Sequence, residues 1–238
     1  MRRRLLCLIA LVMMLGSSTY AQDQSYGLSL SLGIASEQMD DMKYLQEHIL
    51  GTYPVEGKIT SSFPPYISLS LTGFKQLYDH IRIGVAYGYS NTGGKSSYAD
   101  YSGNITTVFS ATSHRLGAYL SYLVLGGDRL GLYLNGRMDA NFTSMAIESS
   151  YSIYSYLNGH INKYRSISPA GSVGTELMYR LKKLSLGMEA GYLADLKGDL
   201  KNSDSGDPLL DPNDLERSLS SDWTGWYVQL QAQIWLNF

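Results

Sequence analysis

The chain has 238 residues, with 19 Lys+Arg against 21 Asp+Glu and a formal net charge of −2. That balance lacks the basic excess of a nucleic-acid-binding domain. Only 17% of residues are charged, while 20 are Tyr and 24 are Gly, a bias found in transmembrane strands rather than in water-soluble domains.

Arg2, Arg3 and Arg4 precede an apolar run from Leu5 to Leu15, followed by Ser17, Ser18, Thr19, Tyr20 and Ala21. A basic start, an apolar stretch and small residues mark residues 1–21 as a secretory signal peptide. The run is too short to span a bilayer as a helix. The one cysteine, Cys7, lies inside it without a lipobox, which argues against a lipoprotein. The mature chain, 22–238, then has no thiol, so disulfides and Cys-ligated metals are excluded. Without the three leader arginines it carries 16 Lys+Arg against 21 Asp+Glu, a net of −5. Its length suits one domain.

Eight segments alternate apolar and polar with period two, the strand signature. The first, from about Tyr26 to Ala35, sets Leu28, Leu30, Leu32 and Ile34 against Ser29, Ser31 and Gly33. The second, near 65–74, sets Ile67, Leu69 and Leu71 against Ser68, Ser70 and Thr72. The third begins at Ile81 and the fourth ends near Leu123; the fifth starts at Leu130. The sixth carries Val173, Thr175, Leu177 and Tyr179, and the seventh Leu184, Leu186, Met188, Ala190 and Tyr192. The last runs from Trp226 to Phe238, with Val228, Leu230, Ala232, Ile234 and Leu236 opposite Gln229, Gln231, Gln233 and Trp235.

Charges fall on the polar phase: Arg82, Arg115, Arg137, Asp139, Glu176, Arg180 and Glu189. In a membrane barrel this phase faces inward, because an Arg or Lys facing mid-bilayer costs about 2–4 kcal/mol. Eight strands leave an interior that side chains fill, so the seven are expected to pair as a structural polar network rather than a pore or catalytic centre. With both termini periplasmic, Tyr87, Tyr89, Tyr192 and Trp226 line the outer interface, and Tyr26, Tyr122, Tyr179 and Phe238 the inner one. Two aromatic girdles from one topology fit a membrane barrel. A soluble lipocalin-like barrel or sandwich would reverse the faces, and explains neither the girdles nor the terminal Phe238.

The connections alternate in length. Residues 75–80, 124–129 and 182–183 read as short periplasmic turns; 36–63, 91–104, 143–166 and 197–222 read as long extracellular loops. In the first long loop, Ser36 followed by Met39, Met42, Leu45 and Ile49 and then Gly51 predicts a short amphipathic helix with a Ser cap and a Gly stop. It would lie over the barrel mouth or on the outer leaflet. Asn158-Gly159 between β-rich flanks predicts a hairpin turn, and Tyr101-Ser102-Gly103-Asn104 a weaker one. Strands extended past the membrane would present Tyr98, Tyr101, Tyr151, Tyr154, Tyr156 and Tyr164, either as a contact surface for a partner or merely as hairpin stabilisers. The fourth loop holds Asn202, Asp204, Asp207, Asp211, Asn213 and Asp214, but without the spacing of a calcium loop, so a solvated loop is expected. No cofactor or metal is expected.

Enzymatic readings find little support. Ser113-His114 is an adjacent pair with His114 near the outer rim, but neighbouring strand residues face opposite sides. The His-x-Ser-Asn pattern of lipid A deacylase barrels is missing, as are the paired aspartates and tenth strand of omptin proteases.

With these strands and a terminal aromatic residue, the chain resembles the small eight-stranded Gram-negative outer-membrane barrels of the outer membrane protein X and A kind, and the generic outer-membrane β-barrel domain family. The resemblance implies an all-β, eight-stranded antiparallel up-and-down transmembrane barrel with extended extracellular hairpins, residing in the cell outer membrane. It implies Phe238 as the C-terminal assembly signal read by the barrel-assembly machinery. It also implies contact with outer-membrane lipid and lipopolysaccharide, and a non-enzymatic role binding a surface ligand or protein partner through the loops. The alternatives are an accessory subunit of an envelope secretion or transport complex, or a lipid-modifying barrel enzyme.

Overall fold

The structure, a computed structural model, describes residues 26–53, 56–101, 103–126, 129–153 and 156–236. The proposed signal peptide, Tyr154 and Phe238 lie outside this set, and of Tyr156 only the backbone is described.

Eight long strands form the molecule: β1 (Tyr26–Ala35), β2 (Tyr66–Tyr78), β3 (Ile81–Asp100), β4 (Gly103–Gly126), β5 (Leu130–Ile153), β6 (Tyr156–Leu181), β7 (Leu184–Asp195) and β8 (Gly225–Leu236). Each pairs antiparallel with its sequence neighbour. The ring closes where β1 meets β8, with Leu28 opposite Ile234 and Leu32 opposite Leu230. Closure leaves no unpaired edge at bilayer depth, which a membrane-spanning sheet requires.

Alternation sets the two faces. Leu30, Leu71, Leu120, Leu134, Leu186 and Leu230 project outward, while Ser31, Ser70, Ser121, Asn135, Ser185 and Gln231 on the same strands are buried within. An exposed apolar belt around a polar interior inverts a soluble protein and suits a lipid solvent. The belt ends in aromatic residues. At the outer end Trp226 meets Tyr192 edge-on with ring centroids 4.8 Å apart, and Tyr87 and Tyr89 flank His114. At the periplasmic end His80 lies between Tyr78 and Tyr122.

β3 to β6, at 20 to 26 residues, far exceed the roughly 9–11 needed to cross. They continue as a curved sheet above the membrane, extended at one edge by Lys58–Ser62 pairing with β3 and at the other by Lys201–Asn202 pairing with β6. The β3–β4 ladder runs out to the pair Asp100 and Gly103. The Asn158-Gly159 turn is not formed. Those residues sit inside β6 opposite Tyr151 and Ser150, and the ladder continues to the pair Ile153 and Tyr156. Continuous pairing up the strands outweighs the local turn preference, and Asn158 Nδ2 instead donates across the ladder to the Tyr151 hydroxyl at 2.8 Å.

Helix α1 (Asp40–Gly51) follows β1. Its cap is not Ser36, whose N–H bonds the Trp226 carbonyl and prolongs the β1–β8 ladder. The turn into the helix is made by Met39, in the left-handed region at φ 44°.

Candidate functional site

The interior is layered. At the periplasmic floor the Arg82 guanidinium lies 3.8 Å from the Tyr133 ring centroid and within 5.5 Å of Trp235 and Phe74. Arg82 also stands 3.9 Å from Glu176, whose second oxygen accepts from Asn135 Nδ2 at 2.7 Å. Arg180 belongs to the inward phase but emerges at the rim, exposed, with its guanidinium 5.2 Å from Trp235.

In the middle layer Arg137 and Asp139 pair along one strand at 3.3 Å. Arg115 donates to Ser90 Oγ at 3.3 Å, and Glu189 accepts from Tyr227 at 2.9 Å and from Gln231. The cavity left among Tyr66, Arg115, Arg137, Glu189, Trp223 and Tyr227 measures about 20 Å³, room for about one water.

The outer mouth is closed by elements that the period-two pattern does not reveal. Met39, at the entry to α1, and Met42 and Leu45 within it turn inward onto Phe63, Phe109, Met145, Leu200 and Trp223. Of the two places expected for the helix, it occupies the mouth. Trp223 Nε1 donates to Thr143 at 2.9 Å, and Tyr66 meets the indole edge-on at 5.7 Å. Asp195 gathers Ser168 Oγ, Asn141 Nδ2 and the Trp223 N–H. Asp41 of the helix accepts the Ser220 N–H and hydroxyl at 3.0 and 2.7 Å and pairs with Arg217, which also holds Asp211 at 3.2 Å. The 197–222 loop, expected to be a solvated segment, is thus partly a clamp on α1. Between β1 and α1, Glu37 is buried. Burial pushes its carboxyl up to about 8, against the partial opposition of the Thr92 and Tyr66 hydroxyls and then of Lys43 and Arg115.

The tyrosines expected to form a contact surface divide. Tyr164 is 9% exposed and packs in the core under the helix, so it offers no contact surface; its position on β6 alternates inward with Ser166 and Ser168. Tyr101 stands at a hairpin tip, 97% exposed. Tyr98, Ile105, Tyr151 and Asn158 are successive register partners across β3 to β6, which puts them on one face. That face continues the barrel interior above α1, where the Tyr53 hydroxyl bonds Thr107 Oγ1 at 2.7 Å.

Ser113 points inward to Asn141 Oδ1 at 2.6 Å, while His114 points outward, its Nδ1 2.7 Å from the Tyr87 hydroxyl. The two share no face and form no nucleophile–base pair. Among the described residues, no group of three or more His, Cys, Asp or Glu side chains is placed to hold a metal ion.

No protein-family model and no curated protein matches the chain. Among solved structures it is similar to a major outer membrane protein from Thermus thermophilus, at 12% identity and TM-score 0.46 over 89% of this chain and 99% of that one. OprG from Pseudomonas aeruginosa shows 14% identity and TM-score 0.42 over 90% and 95%. Ail, the attachment invasion locus protein of Yersinia pestis, shows 12% and 0.41 over 90% and 100%. The closed ring, the outward apolar belt and the filled polar lumen make the chain an eight-stranded outer-membrane β-barrel with extended extracellular hairpins.

Proposed function

We propose that this barrel is a non-enzymatic surface receptor or adhesin whose lumen is a permanent plug and whose raised β3–β6 sheet carries the contact surface. The observation behind the reading is the half-exposed row Tyr98–Ile105–Tyr151 on the concave face above α1, ending at the exposed Tyr101 tip. A rigid sheet presenting aromatic side chains lowers the ordering cost of association, and Tyr is enriched at such interfaces. In this reading the charged lumen residues serve closure, as layers of paired charge and aromatic rings around a cavity of about 20 Å³.

The test is photo-crosslinking from Tyr101 and Tyr98 on intact cells, with planar-bilayer conductance of the purified protein alongside. The reading expects a defined adduct lost when the 97–106 hairpin tip is shortened, and no open-channel current. Adducts formed only with another outer-membrane protein of the same cell would favour the accessory-subunit alternative. Steady conductance would refute the plug.

A further inference from the structure

Lys201 and Arg165 are direct register partners, opposite one another in the short ladder that joins the fourth extracellular loop to β6. Facing side chains on such a pair stand about 4.5–5.5 Å apart at Cβ, and like charges there destabilise the ladder. Both point outward: Leu200 beside Lys201 and Tyr164 beside Arg165 are buried, and alternation turns their neighbours the other way. Lys163, two residues further along β6, is exposed on the same face.

Among the described residues none of these three cations forms an ion pair, although Lys197 and Arg217 of the same loop do. The acids nearby form no ion pair with them. Asp199 is exposed on the same face two residues before Lys201, Glu148 sits across the β5–β6 ladder opposite Ile161, and Asp204 and Asp207 occupy the loop tip. A repulsive pair joined by a third cation is a poor choice for strand pairing alone and a good one for holding an anion.

Its height identifies the kind of anion. Tyr89, His114, Phe142 and Ile167 form one unbroken line of register partners across β3 to β6. All but Tyr89 are well exposed on the lipid-facing side, and Ile167 is 69% exposed. Arg165 lies two residues from Ile167, about 7 Å along the strand. The cations therefore stand one side-chain row beyond the apolar belt, within reach of headgroups and not of acyl chains. Long basic side chains at that level extend toward the interface.

We propose that Lys163, Arg165 and Lys201 form a binding site for the phosphate groups of the outer-leaflet glycolipid, the phosphorylated lipid A moiety. The planar Arg165 fork would take one phosphate bidentately, with the two lysines as point charges on either side. The site would fix the fourth loop, and with it the clamp on α1, to the membrane surface. This rests on the outward orientation of the long loops, which labelling of Tyr101→Cys with a membrane-impermeant maleimide on intact cells reports separately.

The test is native mass spectrometry of the mature barrel refolded in a neutral detergent and loaded with bisphosphorylated lipid A. The expected result is a retained lipid, weakened at least tenfold in Arg165→Glu/Lys201→Glu and by a similar factor for wild-type protein given dephosphorylated lipid A. Lys95→Glu, which alters an exposed cation outside the cluster, should bind as wild type does. A heat-modifiable gel band establishes that each variant is folded, and the dephosphorylated-lipid arm needs no mutation. Equal retention by the double variant, or equal retention of dephosphorylated lipid, would overturn the site. Displacement by millimolar inorganic phosphate would make it a soluble-phosphate site and overturn its assignment to the lipid.

Discussion

The Arg82 guanidinium stacks 3.8 Å from the Tyr133 ring centroid on one side and stands 3.9 Å from Glu176 on the other. The cation thus ties the aromatic floor of the lumen to its buried carboxylate. Arg82→Met keeps much of the bulk but leaves Glu176 uncompensated, and breaking a buried pair from one side costs about 3–5 kcal/mol. The urea midpoint of unfolding in lipid vesicles should fall accordingly. Arg82→Met/Glu176→Leu should recover much of the loss; a double variant as weak as the single would show that the pair itself contributes little.

The outward face makes a depth-dependent expectation. Leu71 lies between Leu30 of β1 and Tyr87 of β3, half-exposed in the middle of the apolar belt. Leu71→Arg should lower unfolding free energy by about 2–4 kcal/mol in vesicles. Ile161→Arg, on the outward face of β6 above the membrane, should change it by less than about 0.5 kcal/mol, as solvent-facing substitutions do. Equal costs would mean that the belt does not face lipid.

Glycine spacing carries a packing requirement of a different kind. A Cβ on Gly191 would lie 2.5 Å from the Tyr227 hydroxyl and ring, the group that donates to Glu189. Gly191→Ala should displace that tyrosine and cost about 1–3 kcal/mol, as overpacking does. The same replacement at Gly136, where a Cβ meets nothing within 4 Å, should be near neutral, and the two variants can be compared in one urea series.

Much of the architecture is legible because period two is imposed by the membrane itself. β1 runs from Tyr26 to Ala35 as the alternation requires, and Arg82, Arg115, Asp139, Glu176 and Glu189 are buried on the phase that alternates with the apolar belt. The outer mouth is less legible because several weak signals converge there. Tyr164 has the composition of a contact residue, but its parity, countable from Ser166 and Ser168, turns it inward. Asn158-Gly159 carries a turn preference that a continuous ladder overrides. Asp41, Asp195 and Trp223 act through partners up to 179 residues away, and no local pattern announces such contacts. Leu200 and Leu219 within the polar fourth loop and Trp223 just after it, all buried in the core, are the apolar signs that the loop folds back.

Asp41 is the main tie between that loop and the helix, accepting from Ser220 twice and pairing with Arg217. Hydrogen bonds to a charged acceptor contribute about 1.5–3 kcal/mol each, and Asp41→Asn weakens all of them. Amide exchange across Met42–Ile49 should accelerate at least tenfold, while β1 and β2 amides keep their protection. Uniform acceleration would mean that the helix and barrel open as one unit.

Glu37 gives the same lid a pH dependence whose sign follows from its burial. Its carboxyl titrates at about 8 in the folded protein against an ordinary value of 4.5, so the closed mouth binds a proton that an opened one releases. Closure is tightest below about pH 4.5, weakens progressively as pH rises to about 8, and changes no further above it. Helix amide exchange, corrected for its intrinsic pH dependence, should therefore show easier opening at pH 8 than at pH 5. Glu37→Gln, which is neutral throughout and similar in shape, should hold the pH 5 level of protection at both. Other ionisable groups on α1 cancel in that comparison, so an unchanged pH difference in the Gln variant would remove Glu37 as its source.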